Sequence, residues 1–127
     1  KLVDLYKKPR GSNDADVRDL VVQAWLDAQA YRWFTFASVT KMMAGQHVGP
    51  ESSMNKIFWS EMDVKTHETA LRIIGERLEL DEGSALAEGR GHFMKGFEFA
   101  LAGPIYAGTN EIQRNILAER VLGMPKK

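Results

Sequence analysis

The sequence predicts a single all-α domain, and three observations lead to this prediction. Apolar residues recur at three- and four-residue steps along most of the chain, whereas alternation of apolar and polar residues is not sustained anywhere. The length of 127 residues fits one domain. Apolar residues make up 44% and charged residues 27%, as in an ordinary globular protein with a hydrophobic core. We therefore expect residues 1–127 to form one helical domain.

Charge and cysteine content exclude several classes of function. The 17 Lys and Arg residues balance the 17 Asp and Glu residues, so no overall field attracts nucleic acid or an anionic membrane surface. The chain has no cysteine, which excludes a disulfide framework, a thiolate nucleophile and a Cys-ligated metal site. No apolar run reaches the roughly 18 to 20 residues of a membrane span, and no signal peptide opens the chain. We expect a cytoplasmic protein without nucleic-acid or membrane partners.

Two long helices are predicted in the first half of the chain. The first runs from about Asp16 to Met43, with Asp14 or Asp16 as its N-terminal cap. Its second half is rich in Trp, Tyr and Phe, which predicts burial on more than one side. The second helix carries Pro50 in its first turn and ends at Ile74 before a glycine. Its charged middle is expected to meet solvent or a partner.

A loop and two shorter helices are predicted in the second half. The acidic, glycine-interrupted stretch from Glu76 to Arg90 indicates a loop with at most one helical turn. A third helix is predicted from about His92 to Leu101, and Gly103-Pro104 stops it. The last helix begins at Thr109, whose hydroxyl can cap the amides of the first turn. Glu111 then lies at the positive end of the helix dipole.

Most residue types that carry chemistry are not arranged as a site. The histidines His47, His67 and His92 lie on three different segments without ligand spacing, which predicts surface or structural roles. The chain contains neither a Gly-rich nucleotide loop after a strand nor a nucleophile-elbow serine. One segment differs, because a glycine-bearing loop leads into the helix start at Thr109, where a phosphate or another anionic oxygen can bind. By themselves, these residues favour a plain helix cap.

A long segment around the last predicted helix matches a family signature. It reads Tyr106-Ala-Gly-Thr-Asn-Glu-Ile-Gln-Arg-Asn-Ile-Leu-Ala-Glu-Arg120 and is followed by Leu122-Gly-Met-Pro125. This stretch resembles the C-terminal signature of flavin-dependent acyl-CoA dehydrogenases. Upstream, Met54-Asn-Lys-Ile-Phe-Trp-Ser-Glu61 resembles the family's Lys-x-Phe-x-Ser-Glu segment, and Arg72-Ile-Ile-Gly75 stands at its Gln-x-x-Gly-Gly turn. The resemblance covers about residues 14 to 125.

The resemblance implies a fold, a cofactor and partners. In that family the C-terminal helices form an up-down bundle at the centre of a dimer or tetramer, with FAD between subunits. The resemblance implies that Gly108, Thr109 and Glu111 approach the phosphate and ribityl side of the flavin. It places Arg72 and Gly75 near the adenine nucleotide of a neighbouring subunit. Acyl-CoA is the implied substrate, electron-transferring flavoprotein the implied acceptor, and a homo- or hetero-oligomer the implied assembly.

Two positions depart from the family pattern. Ala107 stands where many members carry the glutamate base, and alanine cannot remove a proton. Its backbone amide is still expected to help hold the thioester oxygen as negative charge develops there. The family's Gly-Gly turn reads Gly75-Glu76-Arg77, so Glu76 crowds or repels phosphate unless Arg77 turns inward. We expect no side-chain base in this chain, and its place is upstream of Lys1 or on another subunit.

These features lead to one prediction and two alternatives. We predict a fragment of a bacterial, FAD-dependent acyl-CoA dehydrogenase, namely its C-terminal domain with the first helix missing. The complete enzyme would introduce a trans double bond between the second and third carbons of an acyl-CoA, and the fragment alone would be inactive. The alternatives are a non-catalytic oligomerisation or scaffold subunit and an unrelated helical bundle with a plain cap. Linear, branched and steroid side-chain thioesters all fit the sequence. The fragment should expose apolar surface and self-associate.

Overall fold

The computed structural model consists of helices and connecting turns. It describes residues 1–8, 15–50, 52–80, 83–87 and 91–126, and no strand occurs in these ranges. The helices are α1 (Leu2–Tyr6), α2 (Ala15–Met43), α3 (Ser52–Ile74), α4 (His92–Ala100) and α5 (Asn110–Arg120), with a 3-10 turn (Gly75–Arg77) after α3. The predicted all-α fold class is confirmed, and α2 to α5 correspond to the four predicted helices.

The helix starts differ from the prediction in three details. The short helix α1 was not predicted, because five residues are too few to show a helical period. Tertiary contacts stabilise it, since Leu5 is buried and the helix packs on α2 and α3. Pro50 lies two residues before α3, where its carbonyl accepts the amide of Ser53 at 3.0 Å. Asp16 lies in the first turn of α2. The other predicted cap, Asp14, lies outside the described residues.

The central helix is α3, which contacts all four other helices. Ser60 and Ala70, on either side of its charged middle, are both 0% exposed. Within that middle Lys65 and Glu68 are exposed, so the expected contact with solvent is present. Small residues explain the close packing: a Cβ added to Gly103 would lie 3.2 Å from Ser60 Cβ, and Gly96 faces the ring of His67. Charged positions thus alternate with small ones that bury the helix.

The helices α2 and α3 run antiparallel. Tyr31 in the second half of α2 stacks on Phe58 near the start of α3, with ring centroids 6.3 Å apart and planes 10° apart. Leu20, near the start of α2, lines the same groove as Thr69 toward the end of α3. The first half of α3 is therefore flanked by the second half of α2 on one side.

The aromatic half of α2 is exposed within this chain. Phe36 is 48% and Trp33 66% exposed, and Met43 at the end of the helix is 84% exposed. Burial on more than one side is therefore not found here, because α3 covers only one face of this half. The expected exposure of apolar surface is present.

Candidate functional site

The loop before α5 has an unusual backbone. Ala107 and Gly108 have φ angles of 54° and 85°, in the left-handed region that a side chain makes unfavourable. Gln113 Nε2 donates to the Ala107 carbonyl at 3.1 Å. A Cβ on Gly108 would come within 2.7 Å of the same Nε2, so this position favours glycine. The side chain of Gln113 therefore closes over the inner side of the loop.

Three successive amides of this loop are available to an external acceptor. Within the described part of the chain, the backbone hydrogen bonds around the loop use the amides of Ile105, Tyr106 and Asn110, and none uses those of residues 107–109. Ala107 and Gly108 are exposed. The loop can thus donate hydrogen bonds to a ligand oxygen without losing an internal one.

Thr109 caps α5 as predicted. Its Oγ1 accepts the amide of Ile112 at 3.3 Å. The pKa of the Glu111 carboxyl is lowered from its ordinary value. The main cause is a hydrogen bond from the backbone amide of Glu111 itself, and a hydrogen bond from the Thr109 hydroxyl adds to it. Glu111 is fully exposed and ionised near neutral pH, so its carboxylate accepts hydrogen bonds and repels anions. This chemistry suits a hydroxyl group better than a phosphate.

The first residue of α5 anchors the loop to α3. Asn110 is 3% exposed. Its Oδ1 accepts from Lys56 Nζ at 2.7 Å, and its Nδ2 donates to Glu61 Oε1 at 3.3 Å. The Ser60 hydroxyl lies 3.2 Å from Oδ1 and 3.1 Å from Nδ2. Arg114 on the next turn of α5 pairs with the same oxygen of Glu61. The carboxamide therefore has a partner for each of its polar atoms.

This cluster joins the two stretches that resemble the family signature. Lys56, Ser60 and Glu61 belong to the upstream segment, whereas Asn110 and Arg114 belong to the C-terminal one. Asn110 was not among the predicted site residues, since nothing local distinguishes it from an ordinary first-turn residue. The sequence contains both family-like stretches, but their presence does not predict which residues of the one contact which residues of the other.

The loop is also tied to itself and to an aromatic side chain of α3. The Asn110 amide donates to the Pro104 carbonyl at 2.9 Å, which closes the loop at its base. The ring of Tyr106 lies 6.0 Å from that of Trp59, centroid to centroid. Side chain, main chain and ring contacts thus all fix the position of residues 107–109.

The other predicted site residues lie at the far end of α3. Arg72 is exposed in its last turn, and Gly75 follows with a φ of 62° and open space around it. Glu76 is exposed and Arg77 is half-buried. Twelve residues separate Ser60 from Arg72, or about 18 Å along a helix axis. The structure therefore brings Gly108, Thr109 and Glu111 together and leaves Arg72 and Gly75 apart from them.

The histidines have structural surroundings. The Nδ1 of His67 lies 2.9 Å from the carbonyl oxygen of Asp63 on α3. The Nε2 of His92 lies 3.1 Å from Lys1 Nζ. In the described ranges, no three His, Asp or Glu side chains are grouped to hold a metal ion. No helix of the described residues combines the length and apolarity needed to cross a membrane.

Comparison with known proteins identifies the relatives of this chain. A family model described as the acyl-CoA dehydrogenase C-terminal domain matches residues 7–122. The acyl-CoA dehydrogenase IpdE1 of Mycolicibacterium smegmatis is 33% identical over 132 residues, and the match covers 99% of this chain and 30% of that protein. IpdE1 of Mycobacterium tuberculosis is 30% identical over 127 residues, with 99% of this chain and 31% of that protein covered. The chain thus spans about a third of the length of these relatives.

Solved structures show the same helical arrangement. The Tcur3481-Tcur3483 steroid ACAD matches with a TM-score of 0.89 and 18% identity, over 99% of this chain and 33% of that chain. The ChsE4-ChsE5 complex from Mycobacterium tuberculosis gives 0.81 and 20%, over 99% and 34%. The FAD complex of PigA gives 0.76 and 20%, over 97% and 32%. With the family match over most of its length, the chain belongs to the acyl-CoA dehydrogenase family and corresponds to its C-terminal helical domain.

Proposed function

We propose that this chain is the C-terminal domain of a flavin-dependent acyl-CoA dehydrogenase and supplies one edge of an FAD site. The observation that carries the proposal is the loop at residues 107–109. Its amides have no hydrogen-bond partner among the described residues, Ala107 and Gly108 have left-handed φ angles, and its base is fixed to α3 by Asn110. A rigid set of donors at a helix start is suited to polar ligand oxygens.

The residues of this edge fit parts of FAD differently. The amides of Gly108 and Thr109 are donors and suit phosphate or carbonyl oxygens. The ionised carboxylate of Glu111 accepts hydrogen bonds, so it suits the ribityl hydroxyls and faces away from phosphate. The solved FAD complex of PigA, which has the same fold, supports FAD as the cofactor. When bound, FAD supplies the hydride acceptor of the dehydrogenation.

In this proposal, the C-terminal end of α3 lies at a different boundary between subunits from the loop at residues 107–109. Arg72 and Gly75 are about 18 Å along the helix axis from the residues that contact α5. They therefore approach the adenine side of an FAD held mainly by a neighbouring subunit, as the family resemblance implies. The apolar side chains exposed along α2, including Trp25 and Trp33, form part of the oligomer interface. The ChsE4-ChsE5 complex, which has the same fold, supports a hetero-oligomer, and a homo-oligomer is the alternative.

Ala107 contributes its backbone to the chemistry in this proposal. Its methyl side chain cannot act as a base, but the residue is exposed and its amide has no backbone partner, so the amide can donate to the thioester oxygen. That hydrogen bond strengthens as the oxygen gains negative charge during removal of the α-proton. The proton itself is taken by a base outside this chain, and the electrons pass on to an electron-transferring flavoprotein. The chain alone is therefore inactive.

A second candidate is a non-catalytic scaffold subunit, which two observations favour. Ala107 lacks a base, and Glu76 presents an exposed carboxylate where the family has a glycine of the Gly-Gly turn. A carboxylate at that turn repels the pyrophosphate of a neighbouring FAD. In such an assembly, this chain would stabilise an active homologous partner and bind no FAD of its own.

The test is reduction of the flavin in the complete protein that contains this chain, purified with any partner that co-elutes. We would measure flavin content and then add linear, branched and steroid side-chain acyl-CoA thioesters without oxygen. Bleaching of the oxidised flavin band by at least one thioester is the expected result. A flavin-free complete chain that a flavin-containing homologous partner still requires would replace the enzyme proposal with the scaffold.

A further inference from the structure

The only described side-chain hydrogen bonds between α3 and α5 that are fully buried join Ser60 and Asn110. Ser60 is 0% exposed and Asn110 is 3% exposed, so neither side chain reaches a ligand on the surface of this chain. The Ser60 hydroxyl also lies 3.1 Å from the Ile57 carbonyl of its own helix. A buried pair of this kind is costly to leave half-satisfied, because each remaining polar atom has lost contact with water.

The same residue holds the amide-bearing loop by its main chain. The Asn110 amide donates to the Pro104 carbonyl at 2.9 Å, which sets the width of the loop between these two residues. Residues 107–109 lie inside that closure, with φ angles of 54° at Ala107 and 85° at Gly108. In the described part of the chain, the side-chain hydrogen bonds from α5 to α3 are made by Asn110 and Arg114, and Asn110 lies directly next to the loop, where Tyr106 adds a ring contact. Movement of Asn110 therefore moves the whole set of donors.

We propose that Asn110 is a positioning residue: its buried carboxamide, held by Ser60, Lys56 and Glu61, fixes the amides of residues 107–109 at the distance from α3 that FAD binding requires. The inference rests on the proposed function, because it assigns a role toward that same cofactor edge. Asn110 does not touch FAD itself. It acts through the backbone of the loop, and Ser60 acts through Asn110.

Ser60→Ala in the complete protein is the sharpest test, because Ser60 is fully buried and its loss removes only a hydroxyl. We would measure the dissociation constant of FAD and the visible flavin spectrum at a temperature where every variant is folded. The expected change is about three- to tenfold weaker FAD binding, since one hydrogen bond of the cluster is lost. Ser53→Ala is the matched control: Ser53 is the other buried serine of α3, at 7% exposure, and it is not among the side-chain hydrogen-bond partners described for Asn110, namely Lys56, Ser60 and Glu61.

Asn110→Leu extends the test with a side chain of similar size and no polar atoms. Its FAD binding should be about tenfold to a hundredfold weaker, as expected when binding groups are displaced by about 1 Å. The double variant with Ser60→Ala should bind FAD no more weakly than Asn110→Leu alone, because both act on one cluster. If Asn110→Leu does not fold, the comparison of Ser60→Ala with Ser53→Ala decides the question by itself.

The outcomes separate this inference from the proposed function. If the wild-type complete protein binds no FAD, the proposed function fails and this inference fails with it. If wild type binds FAD and Ser60→Ala binds it equally well, the proposed function stands and the positioning role is refuted. Equal weakening by Ser60→Ala and Ser53→Ala would also refute it, since general loosening of α3 would then be the cause. Weakening by Ser60→Ala alone supports the positioning role.

Discussion

The two ends of α3 differ in how completely one chain can build them. At the start of the helix, Lys56, Ser60 and Glu61 meet Asn110 of α5, and the buried polar atoms of this cluster have partners. At its end, Arg72 and Gly75 are exposed, and a Cβ on Gly75 would meet nothing within 4 Å. The first end keeps the residues that resemble the family pattern, and the second departs from it at Glu76.

In the proposed function, this difference separates the part of an FAD site that one subunit organises from the part that it presents to another subunit. A loop that must present donors at fixed positions needs buried contacts, and the start of α3 supplies them. A turn that approaches a ligand of another subunit must instead be exposed, and the turn at Gly75 and Glu76 is exposed in this chain. Substitutions at the start of α3 should therefore act through packing and change the free energy of unfolding. Substitutions at its end should act through charge and change FAD affinity.

The largest effect is expected for Asn110→Leu. Loss of the carboxamide leaves the Ser60 hydroxyl and the Lys56 ammonium without their buried partner, which should lower the free energy of unfolding by about 2–4 kcal/mol. Urea unfolding followed by far-UV circular dichroism measures this change. Asn115→Leu, at an exposed position of the same helix, should change it by less than about 0.5 kcal/mol. Equal losses in the two variants would remove the distinction between the buried and exposed positions.

Alanine substitutions at two glycines compare the two ends directly. At Gly103 a Cβ would lie 2.9 Å from the Ala100 carbonyl oxygen, so Gly103→Ala should cost about 1–3 kcal/mol through displaced backbone. At Gly75 a Cβ would meet nothing within 4 Å, and only the φ of 62° opposes it, at about 1 kcal/mol. The midpoint of urea unfolding for each variant gives the order. A larger loss for Gly75→Ala would contradict the packing at the start of α3.

Thr109→Ala tests the cap of α5. It removes the oxygen that accepts the Ile112 amide and should lower the free energy of unfolding by about 1 kcal/mol. In the complete protein, it should also weaken FAD binding. Thr40→Ala is the matched control, because the exposed Thr40 bonds only the Phe36 carbonyl within α2. Unchanged FAD affinity in Thr109→Ala would mean that the Thr109 hydroxyl acts only as a helix cap.

Glu76→Gln tests the charge at the far end of α3. Removal of the carboxylate should tighten FAD binding to the complete protein by about two- to fivefold, because an exposed charge is worth less than about 1 kcal/mol. Glu79→Gln, at another exposed glutamate shortly after it, should leave the dissociation constant unchanged. Titration of the apoprotein with FAD measures both. Weaker binding in Glu76→Gln would mean that this carboxylate contacts a donor of the ligand.

The smallest effect is the pH dependence carried by Glu111. Hydrogen bonds from its own amide and from Thr109 lower the pKa of its carboxyl in the folded state. A lowered folded-state pKa stabilises the fold above the unfolded-state pKa, and this contribution is lost as the pH falls through the folded-state value. Thermal unfolding from about pH 7 to about pH 3 should therefore show the wild type losing its advantage over Glu111→Gln. A gap that grows on acidification would reverse the assigned direction.

The sequence predicted the helices well and the position of α3 poorly. Apolar spacing and terminators such as Gly75 and Pro104 gave the bounds of α2 to α5 within a few residues. The charged residues in the middle of α3 predicted an exposed face, which is present, but they did not predict that Ser60 and Ala70 on the same helix are fully buried. A small residue such as Ser60 indicates close packing only when the residue opposite it is known. Here that residue is Gly103, more than 40 positions away in the sequence.

The site was predictable in part. The cap at Thr109 followed from local chemistry, because a hydroxyl before a helical run can accept its first amides. Asn110 was missed, since its partners lie 49 to 54 positions away and no local pattern marks a first-turn residue as buried. The left-handed φ of Ala107 was equally unpredictable, because alanine gives no signal for that conformation.

The most direct measurement is an experimental structure of the complete protein with FAD bound. The proposed function predicts FAD with its ribityl and phosphate side at Gly108, Thr109 and Glu111 of one subunit. Arg72 and Gly75 should approach the adenine side of an FAD at the next subunit boundary. FAD bound elsewhere in the assembly, with residues 107–109 facing only protein, would contradict the central claim that the start of α5 forms an edge of the flavin site.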